Sequence, residues 1–295
     1  MNSSPGQPPP FETLLPAFGR FCEVVARLRG PDGCPWDREQ TLETIKPYTL
    51  EETYELLEAI DSGVDAEIVE ELGDVLLQVV LDAQIGADEG RFGLVEIVEG
   101  ITTKMVDRHP HVFGDASAET VEDVRRHWER AKTSEKQREG VMDGVPVSLP
   151  ALARAARITA RAARVGYDFP DRRMLFDKLR EELEELNQEL FGRDQAPEVP
   201  AEVDSMVVPD ATLPEGVRDR AEEEIGDVLF VLANIARRWG INAEEALRRS
   251  TRKFERRFRA IESGLAERQV TVQDASLVEM EEVYQAAKAK EKQTT

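Results

Sequence analysis

The sequence has few aromatic residues, few cysteines and histidines, and a deficit of positive charge. Aromatic side chains make up 6% of the 295 residues, and the chain has two cysteines (Cys22 and Cys34) and three histidines. Two cysteines exclude a disulfide scaffold, and they do not form a zinc-ligand pattern. A formal charge of −21 argues against sequence-independent binding of DNA or RNA, because phosphate backbones attract positive surfaces.

Long apolar runs are also missing. No run reaches the length that spans a membrane, and the first ten residues have no apolar signal core. We therefore expect a cytoplasmic protein with neither a nucleic-acid partner nor a membrane partner. The apolar fraction of 41% is nevertheless adequate for packed cores.

Apolar residues recur at helical spacing through most of the chain, and strand-like alternation is scarce. This pattern predicts an all-α fold with helix-bundle packing. The predicted helices cover about 11–29, 41–60, 66–86, 94–108, 119–138, 151–165, 171–191, 218–239 and 243–265.

An internal repeat is the main feature of the sequence. The stretch VEELGDVLLQVV at 69–80 returns as AEEEIGDVLFVLA at 221–233, and a second acidic segment precedes each copy, at 51–60 and at 181–190. The repeat is too long for a solenoid unit and predicts two tandem helical domains. The expected organisation is a disordered tail at 1–10, an N-terminal domain at 11–138, a linker at 139–150, a C-terminal domain at 151–285 with a Pro-rich loop insert at 192–217, and a charged tail at 286–295 that frays.

The repeated motifs place carboxylates beside the apolar stripe of each helix when they are plotted at 100° per residue. The eight positions are Glu52, Glu55, Glu71 and Asp74 in the first copy, and Glu182, Glu185, Glu224 and Asp227 in the second. One acidic patch on a helix is usually a solvated face. Four carboxylates at a partly desolvated edge, however, repel strongly unless a cation joins them. Recurrence in both halves therefore predicts a site for Mg²⁺ or Mn²⁺, which prefer oxygen ligands.

The histidines narrow the choice of metal. All three (His109, His111 and His127) lie outside the motif helices. Di-iron helical bundles pair a glutamate with a histidine three residues later, and that pair is missing here, so redox iron chemistry fits poorly.

Five segments in a fixed order resemble the two-domain MazG nucleoside triphosphate pyrophosphohydrolases. They are CPWDREQT, YTLEETYELLEAI, EELGDVLLQVV, RHPHVFGD and KFERRF, and the resemblance extends from about residue 11 to 285. It implies an all-α NTP pyrophosphatase fold and Mg²⁺-dependent cleavage between the α and β phosphates, giving a nucleoside monophosphate and pyrophosphate. The Pro-rich insert departs from the family pattern by lengthening the spacing between the second pair of motifs.

The resemblance also implies roles for residues of the motifs. It makes the eight carboxylates Mg²⁺ ligands. Glu51 and Glu181 lead the two EExxE motifs, and a carboxylate at these positions would orient or deprotonate the attacking water.

A triphosphate also requires basic groups. Lys253 and Arg257, and in the first half Lys104 and Arg108, are spaced to lie on one helix face and are candidates for binding phosphate. The alternative is that these cations pair with the surrounding acids on a solvated helix.

Asn234 differs between the copies. It lies on the stripe of Asp227, and the first copy has Leu81 at the matching position. We expect its amide to contact ribose, base or phosphate; the alternative is an ordinary polar surface residue. This difference, with the richer basic helix of the second half, favours the C-terminal site.

Two other functions are compatible with the same pattern. The chain could bind Mg²⁺–nucleotide without cleaving it, or it could be a helical assembly protein whose acids serve solubility. For any of these functions, the apolar stripes exceed what one helix pair covers, so we expect a homodimer.

Overall fold

The computed structural model describes residues 6–124, 126–128, 140–193, 196 and 212–294, with side chains to residue 291. Within these residues the chain is helical and contains no strand, so the all-α prediction is confirmed. The chain divides into two compact units, Met1–Gln137 and Arg138–Thr295. The segment 139–150, expected to link two domains, falls within the second unit.

The described part of the first unit contains six complete helices and a further helical stretch. They are α1 (Phe11–Arg29), α2 (Pro35–Glu39), α3 (Lys46–Ser62), α4 (Asp65–Asp88), α5 (Leu94–Arg108) and α6 (Pro110–Phe113). Of the helix predicted at 119–138, residues 121–124 and 126–128 are helical and residues 119–120 are not; residues 125 and 129–138 lie outside the described residues. Of the N-terminal tail, residues 6–10 are described and are not helical.

The α3–α4 hairpin carries the first pair of acidic motifs. Gly63 ends α3 in the left-handed region at φ 69°, which glycine adopts without steric cost, and its N–H bonds to the carbonyl of Ala59 at 3.2 Å. Helix α1 packs against α4. The core formed there contains Val25, Ile45, Val80, Leu81 and Ile85.

The second unit repeats the hairpin with a longer connection. Its helices are α7 (Ala151–Arg164), α8 (Met174–Phe191), α9 (Glu215–Arg238), α10 (Ala243–Glu267) and α11 (Leu277–Thr294). Most of the Pro-rich insert, 194–195 and 197–211, lies outside the described residues; its last residues, 215–217, begin α9 and are not loop. Residues 286–294 of the charged tail lie in α11, and fraying of this tail stays a prediction.

Matching core residues anchor the two motif helices. Ile45 lies seven residues before Glu52, and Leu175 lies seven before Glu182; the two apolar residues are 2% and 0% exposed. Helix α8 packs against α9, and α7 covers α9 from another side. Burying the same turn in both copies fixes the direction in which the following acidic turn points.

A buried arginine attaches the start of the second unit to α7. The guanidinium of Arg161 donates hydrogen bonds to the carbonyls of Val141 (3.0 Å), Asp143 and Gly144 (3.3 Å). Because Arg161 is buried, these carbonyls replace the water that would otherwise solvate it.

The described residues include no helix that is both long and apolar enough to cross a membrane.

Gly86 of α4 provides a test of the packing in the first unit. A Cβ placed there would lie 2.6 Å from the ring of Phe92, whereas a Cβ at Gly100 of α5 meets nothing within 4 Å. Gly100→Ala should stabilise the protein by about 0.5–1 kcal/mol, as expected for Gly→Ala inside a helix. Gly86→Ala should destabilise it by about 1–3 kcal/mol, because overpacking outweighs the helix propensity. Urea unfolding of both variants measures the difference, and stabilisation by Gly86→Ala would contradict the Gly86–Phe92 contact.

Candidate active site

The first group of carboxylates forms where α3 packs against α4. Oxygen atoms of Glu52, Glu55 and Glu71 lie within 4.8 Å of one another. Glu52 and Glu55 are one helical turn apart and share a face of α3. Asp74 is outside this group but is close enough to raise the pKa of Glu52 and of Glu71.

The second group repeats the arrangement between α8 and α9. Oxygen atoms of Glu182, Glu185 and Glu224 lie within 4.8 Å of one another. Asp227, one turn beyond Glu224, is again outside the group and raises the pKa of Glu224. The structure therefore brings together three of the four predicted ligands in each unit and places the aspartate beside them.

The pKa values of these groups indicate where positive charge is needed. Loss of solvent, followed by the charge of neighbouring carboxylates, raises the pKa of Glu52 and of Glu71 above the ordinary glutamate value. The same causes raise the pKa of Glu224; for Glu185, loss of solvent is followed by a hydrogen bond with Glu182. A cation bound at either group would offset the repulsion among its carboxylates.

The donor set fits a hard divalent cation. Each group offers carboxylate oxygens alone, with no histidine or cysteine, which is the ligand type that Mg²⁺ and Mn²⁺ prefer. In the first group, Oε2 of Glu71 is buried and has no hydrogen-bond partner among the residues that the structure describes. A buried oxygen without a partner is costly, and a cation ligated there would remove the cost.

Lys178 is the residue of this site that the sequence reasoning missed. Its Nζ lies 2.8 Å from a carboxylate oxygen of Glu181 and 2.8 Å from one of Glu182. These two hydrogen bonds raise the pKa of Lys178. The matching residue of the first copy, four before Glu52, is Tyr48. The spacing of four between Lys178 and Glu182 was a signal, but such pairs are common on solvated helix faces.

The leading glutamates of the two motifs lie outside the carboxylate groups. Glu51 and Glu181 are both exposed, and Glu181 is held by Lys178. Among the described residues, Glu181 thus contacts the second group through the lysine and does not belong to it.

Two of the four basic residues predicted to bind phosphate, Arg257 and Arg108, have other contacts in the structure. Arg257 pairs with Glu291 of α11 at 2.7 Å and donates to the Tyr284 hydroxyl at 3.2 Å. The guanidinium of Arg108 is buried, 5.0 Å from the ring centroid of Trp128. Lys253 and Lys104 are exposed. For Arg257, the structure therefore agrees with the alternative that the cation pairs with a nearby acid.

A cavity of about 610 Å³ opens beside the second carboxylate group. Lys178, Glu182 and Asp227 line one part of it, and Asn234 lines another. Most other lining side chains are apolar. They include Ile158, Leu175, Phe230 and Val231. Asn234 is 6% exposed, so the alternative that it is an ordinary surface residue is wrong.

Fold and site together define an all-α protein with two copies of a helix pair, each of which presents carboxylates suited to a divalent cation. The model of the MazG nucleotide pyrophosphohydrolase domain matches this chain twice, at residues 40–113 and 172–261. The chain belongs to the MazG family and is a hydrolase of that class. The two matches confirm the tandem arrangement that the repeat predicted.

Curated relatives match along almost the whole chain. The nucleoside triphosphate pyrophosphohydrolase of Escherichia coli (strain K12) is 44% identical over 276 residues, covering 92% of this chain and 97% of the relative. The nucleoside triphosphate pyrophosphohydrolase/pyrophosphatase MazG of Thermotoga maritima is 35% identical over 273 residues, covering 92% and 95%. An uncharacterised protein of Bacillus subtilis (strain 168), YabN, is 42% identical over 283 residues but extends well beyond this chain, which covers 53% of it.

The raised pKa values predict how the metal-free protein responds to pH. A raised pKa means that folded Glu71 keeps a proton at a pH where the unfolded chain has lost it, so stability falls as pH rises through the folded pKa. With EDTA present, Glu71→Gln should therefore melt higher than the parent protein near pH 7. The difference should disappear below the ordinary glutamate pKa, where both states are protonated.

The control for this experiment is Glu99→Gln on α5, an exposed glutamate with no part in either group. Thermal melts from pH 4 to pH 8 measure both variants. A Glu71→Gln protein that is less stable than the parent at pH 7 without metal would show that the carboxylates do not repel.

Proposed function

We propose that the protein is a Mg²⁺-dependent nucleoside triphosphate pyrophosphohydrolase, with Mn²⁺ as a possible substitute. Water attacks the α phosphorus, the bond from that phosphorus to the bridging oxygen breaks, and the products are a nucleoside monophosphate and pyrophosphate. The observation that carries this proposal is the second carboxylate group, which borders a cavity that also contains a lysine and a buried amide. The names of the Escherichia coli and Thermotoga maritima relatives support the substrate class.

In the second unit, Glu182, Glu185, Glu224 and Asp227 would hold the cation. When bound, the cation supplies positive charge that offsets and polarises the phosphate oxygens. The first unit offers Glu52, Glu55, Glu71 and Asp74 for the same purpose. Without such a charge, a chain of net charge −21 would repel its own substrate.

At the second site, Lys178 binds the triphosphate and Glu181 acts as the general base. The Lys178 ammonium, already beside Glu182, binds an oxygen of the triphosphate and adds charge that the first unit lacks. Glu181, within 2.8 Å of the same ammonium, accepts the proton of the attacking water. Lys178 fixes the position of that carboxylate, which would otherwise be free on the exposed face of α8.

The C-terminal site is the one we propose to be active. At the positions of Lys178 and Asn234 the first copy has Tyr48 and Leu81. Leu81 is 4% exposed and belongs to the apolar core of the first unit, so it presents no polar group to a substrate. The first unit would then hold a divalent cation without turnover.

We also propose that the protein is a homodimer. Apolar side chains are exposed at matching positions of α4 and α9, each pair separated by 153 residues. The pairs are Leu72 and Ile225, Leu76 and Leu229, and Val79 and Leu232. An apolar stripe kept exposed in both copies of a repeat fits burial against the same stripe of a second chain, as in a two-fold symmetric interface.

The site of attack can be tested from the products. With Mg²⁺ and water enriched in ¹⁸O, the label should appear in the monophosphate and not in pyrophosphate, because water attacks the α phosphorus. Mass spectrometry of both products measures the label, and EDTA should abolish their formation. Orthophosphate and nucleoside diphosphate as primary products would contradict the proposal.

The two aspartates test which unit turns over substrate. Asp227→Ala removes a ligand of the second site and should lower kcat about a hundredfold or more. Asp74→Ala makes the matched change in the first unit and should leave most activity. Circular dichroism of each variant shows whether it is folded. A folded Asp74→Ala protein without activity, beside an active Asp227→Ala protein, would reverse the assignment of the site.

A further inference from the structure

We infer that the cavity of the second unit binds the nucleobase, that the Asn234 amide donates a hydrogen bond to it, and that Asp168 and Arg237 are positioning residues that orient this amide. The inference rests on the proposed function, because it takes the phosphates to lie at the neighbouring carboxylates. Asp168 and Arg237 have no part in the site predicted from the sequence.

The volume and lining of the cavity suit a flat heteroaromatic ring. Its volume of about 610 Å³ lies in the range of small-molecule sites. Apolar side chains from α7, α8 and α9 provide surfaces for a ring face, among them Ile158, Leu175 and Phe230. Glu182 and Asp227 line the same cavity, so a ligand with its charged end at the carboxylates can extend its apolar end inward.

The hydrogen bond from Arg237 fixes the orientation of the Asn234 amide. Nε of Arg237 lies 2.8 Å from Oδ1 of Asn234 and donates to it. A guanidinium nitrogen can only donate, so the oxygen of the amide must face Arg237 and the NH₂ group must face elsewhere. Among residues 140–193, 196 and 212–294, Nδ2 of Asn234 has no hydrogen-bond partner. The side chain lines the cavity, so its free donor is available to a ligand there.

Asp168 holds Arg237 in that position. Its two carboxylate oxygens accept from the same terminal nitrogen of Arg237, at 2.8 and 2.9 Å. Arg238 pairs with Asp168 at 2.9 Å and also donates to the carbonyl of Phe169. Burial opposes ionisation of Asp168, but the hydrogen bonds from Arg237 and Arg238 outweigh it and lower the pKa of Asp168. The carboxylate is thus charged at neutral pH and keeps Arg237 on the amide.

A nucleobase would match both features of this cavity, which are the apolar side chains and the amide donor. Every base has flat apolar faces, and every base carries a ring nitrogen or carbonyl oxygen that accepts a hydrogen bond. A purely apolar ligand would leave the buried amide donor without a partner. A second phosphate would meet apolar walls and the carboxylate of Asp168, which also lines the cavity. The first copy has no donor here, because Leu81 occupies the matching position within the core.

The test compares two ligands on the full-length protein. Nucleoside triphosphate fills both the carboxylate end and the cavity, whereas inorganic tripolyphosphate can fill only the carboxylate end. Calorimetric titration with Ca²⁺ present, which slows turnover while occupying an oxygen site, gives both affinities. Asn234→Leu, which installs the first copy's residue, should weaken nucleotide binding about tenfold to a hundredfold and leave tripolyphosphate binding unchanged.

The positioning role has a signature of its own. Asp168→Asn and Arg237→Leu should weaken nucleotide binding in the parent protein but should add little once Asn234→Leu is present, because they act through that amide. Arg237→Lys, which retains a donor toward Asn234, should recover part of the loss. Glu282→Gln, which removes an exposed ion pair with Arg268 in the same unit, is the control and should change neither affinity.

Each outcome has a defined meaning. Equal weakening of both ligands by Asn234→Leu, or fully additive effects of Asp168→Asn and Asn234→Leu, would overturn the inference, as would a parent protein that binds tripolyphosphate as tightly as nucleotide. The proposed function fails separately: a parent that binds nucleotide through Asn234 but releases no pyrophosphate with Mg²⁺ would retain the cavity assignment and lose the hydrolytic one.

Discussion

Repulsion among carboxylates on two packed helices is the constraint around which each domain is built. The apolar faces of α3 and α4, and of α8 and α9, must pack for the domains to have cores, and this packing brings the bordering glutamates within 4.8 Å of one another. Loss of solvent then raises the pKa of Glu52 and of Glu224. A divalent cation would relieve the repulsion, so metal affinity and the stability of each helix pair would be linked by mass action.

The two copies resolve this repulsion differently. In the second unit the ammonium of Lys178 lies between Glu181 and Glu182. The first unit has Tyr48 at that position, and within its described part an oxygen of Glu71 is buried without a hydrogen-bond partner. Further along the second motif helix, one copy closes its core with a leucine and the other opens a cavity with an amide. With the function proposed above, one duplicated frame would hold a cation twice and a nucleotide once.

Arginine pairing within the second unit sets what remains available to a substrate. Arg256 and Arg257 both bind Glu291 of α11, and Arg237 and Arg238 both bind Asp168. These four arginines are thus paired with acids of the same unit. Lys178 is also paired with acids, Glu181 and Glu182, but it lines the cavity beside the second carboxylate group.

The sequence alone determined the helices, the repeat and the positions of the eight carboxylates, because these depend on spacing along one helix. It also placed Asn234 on the stripe of Asp227, but not in a cavity. The partners of the charged groups were decided by tertiary structure: Arg237 meets Asp168 from 69 residues away, and Arg257 meets Glu291 from 34. Whether a polar side chain faces water, an acid or a cavity depends on segments distant in the chain, and helical periodicity carries no information about which of them it will meet.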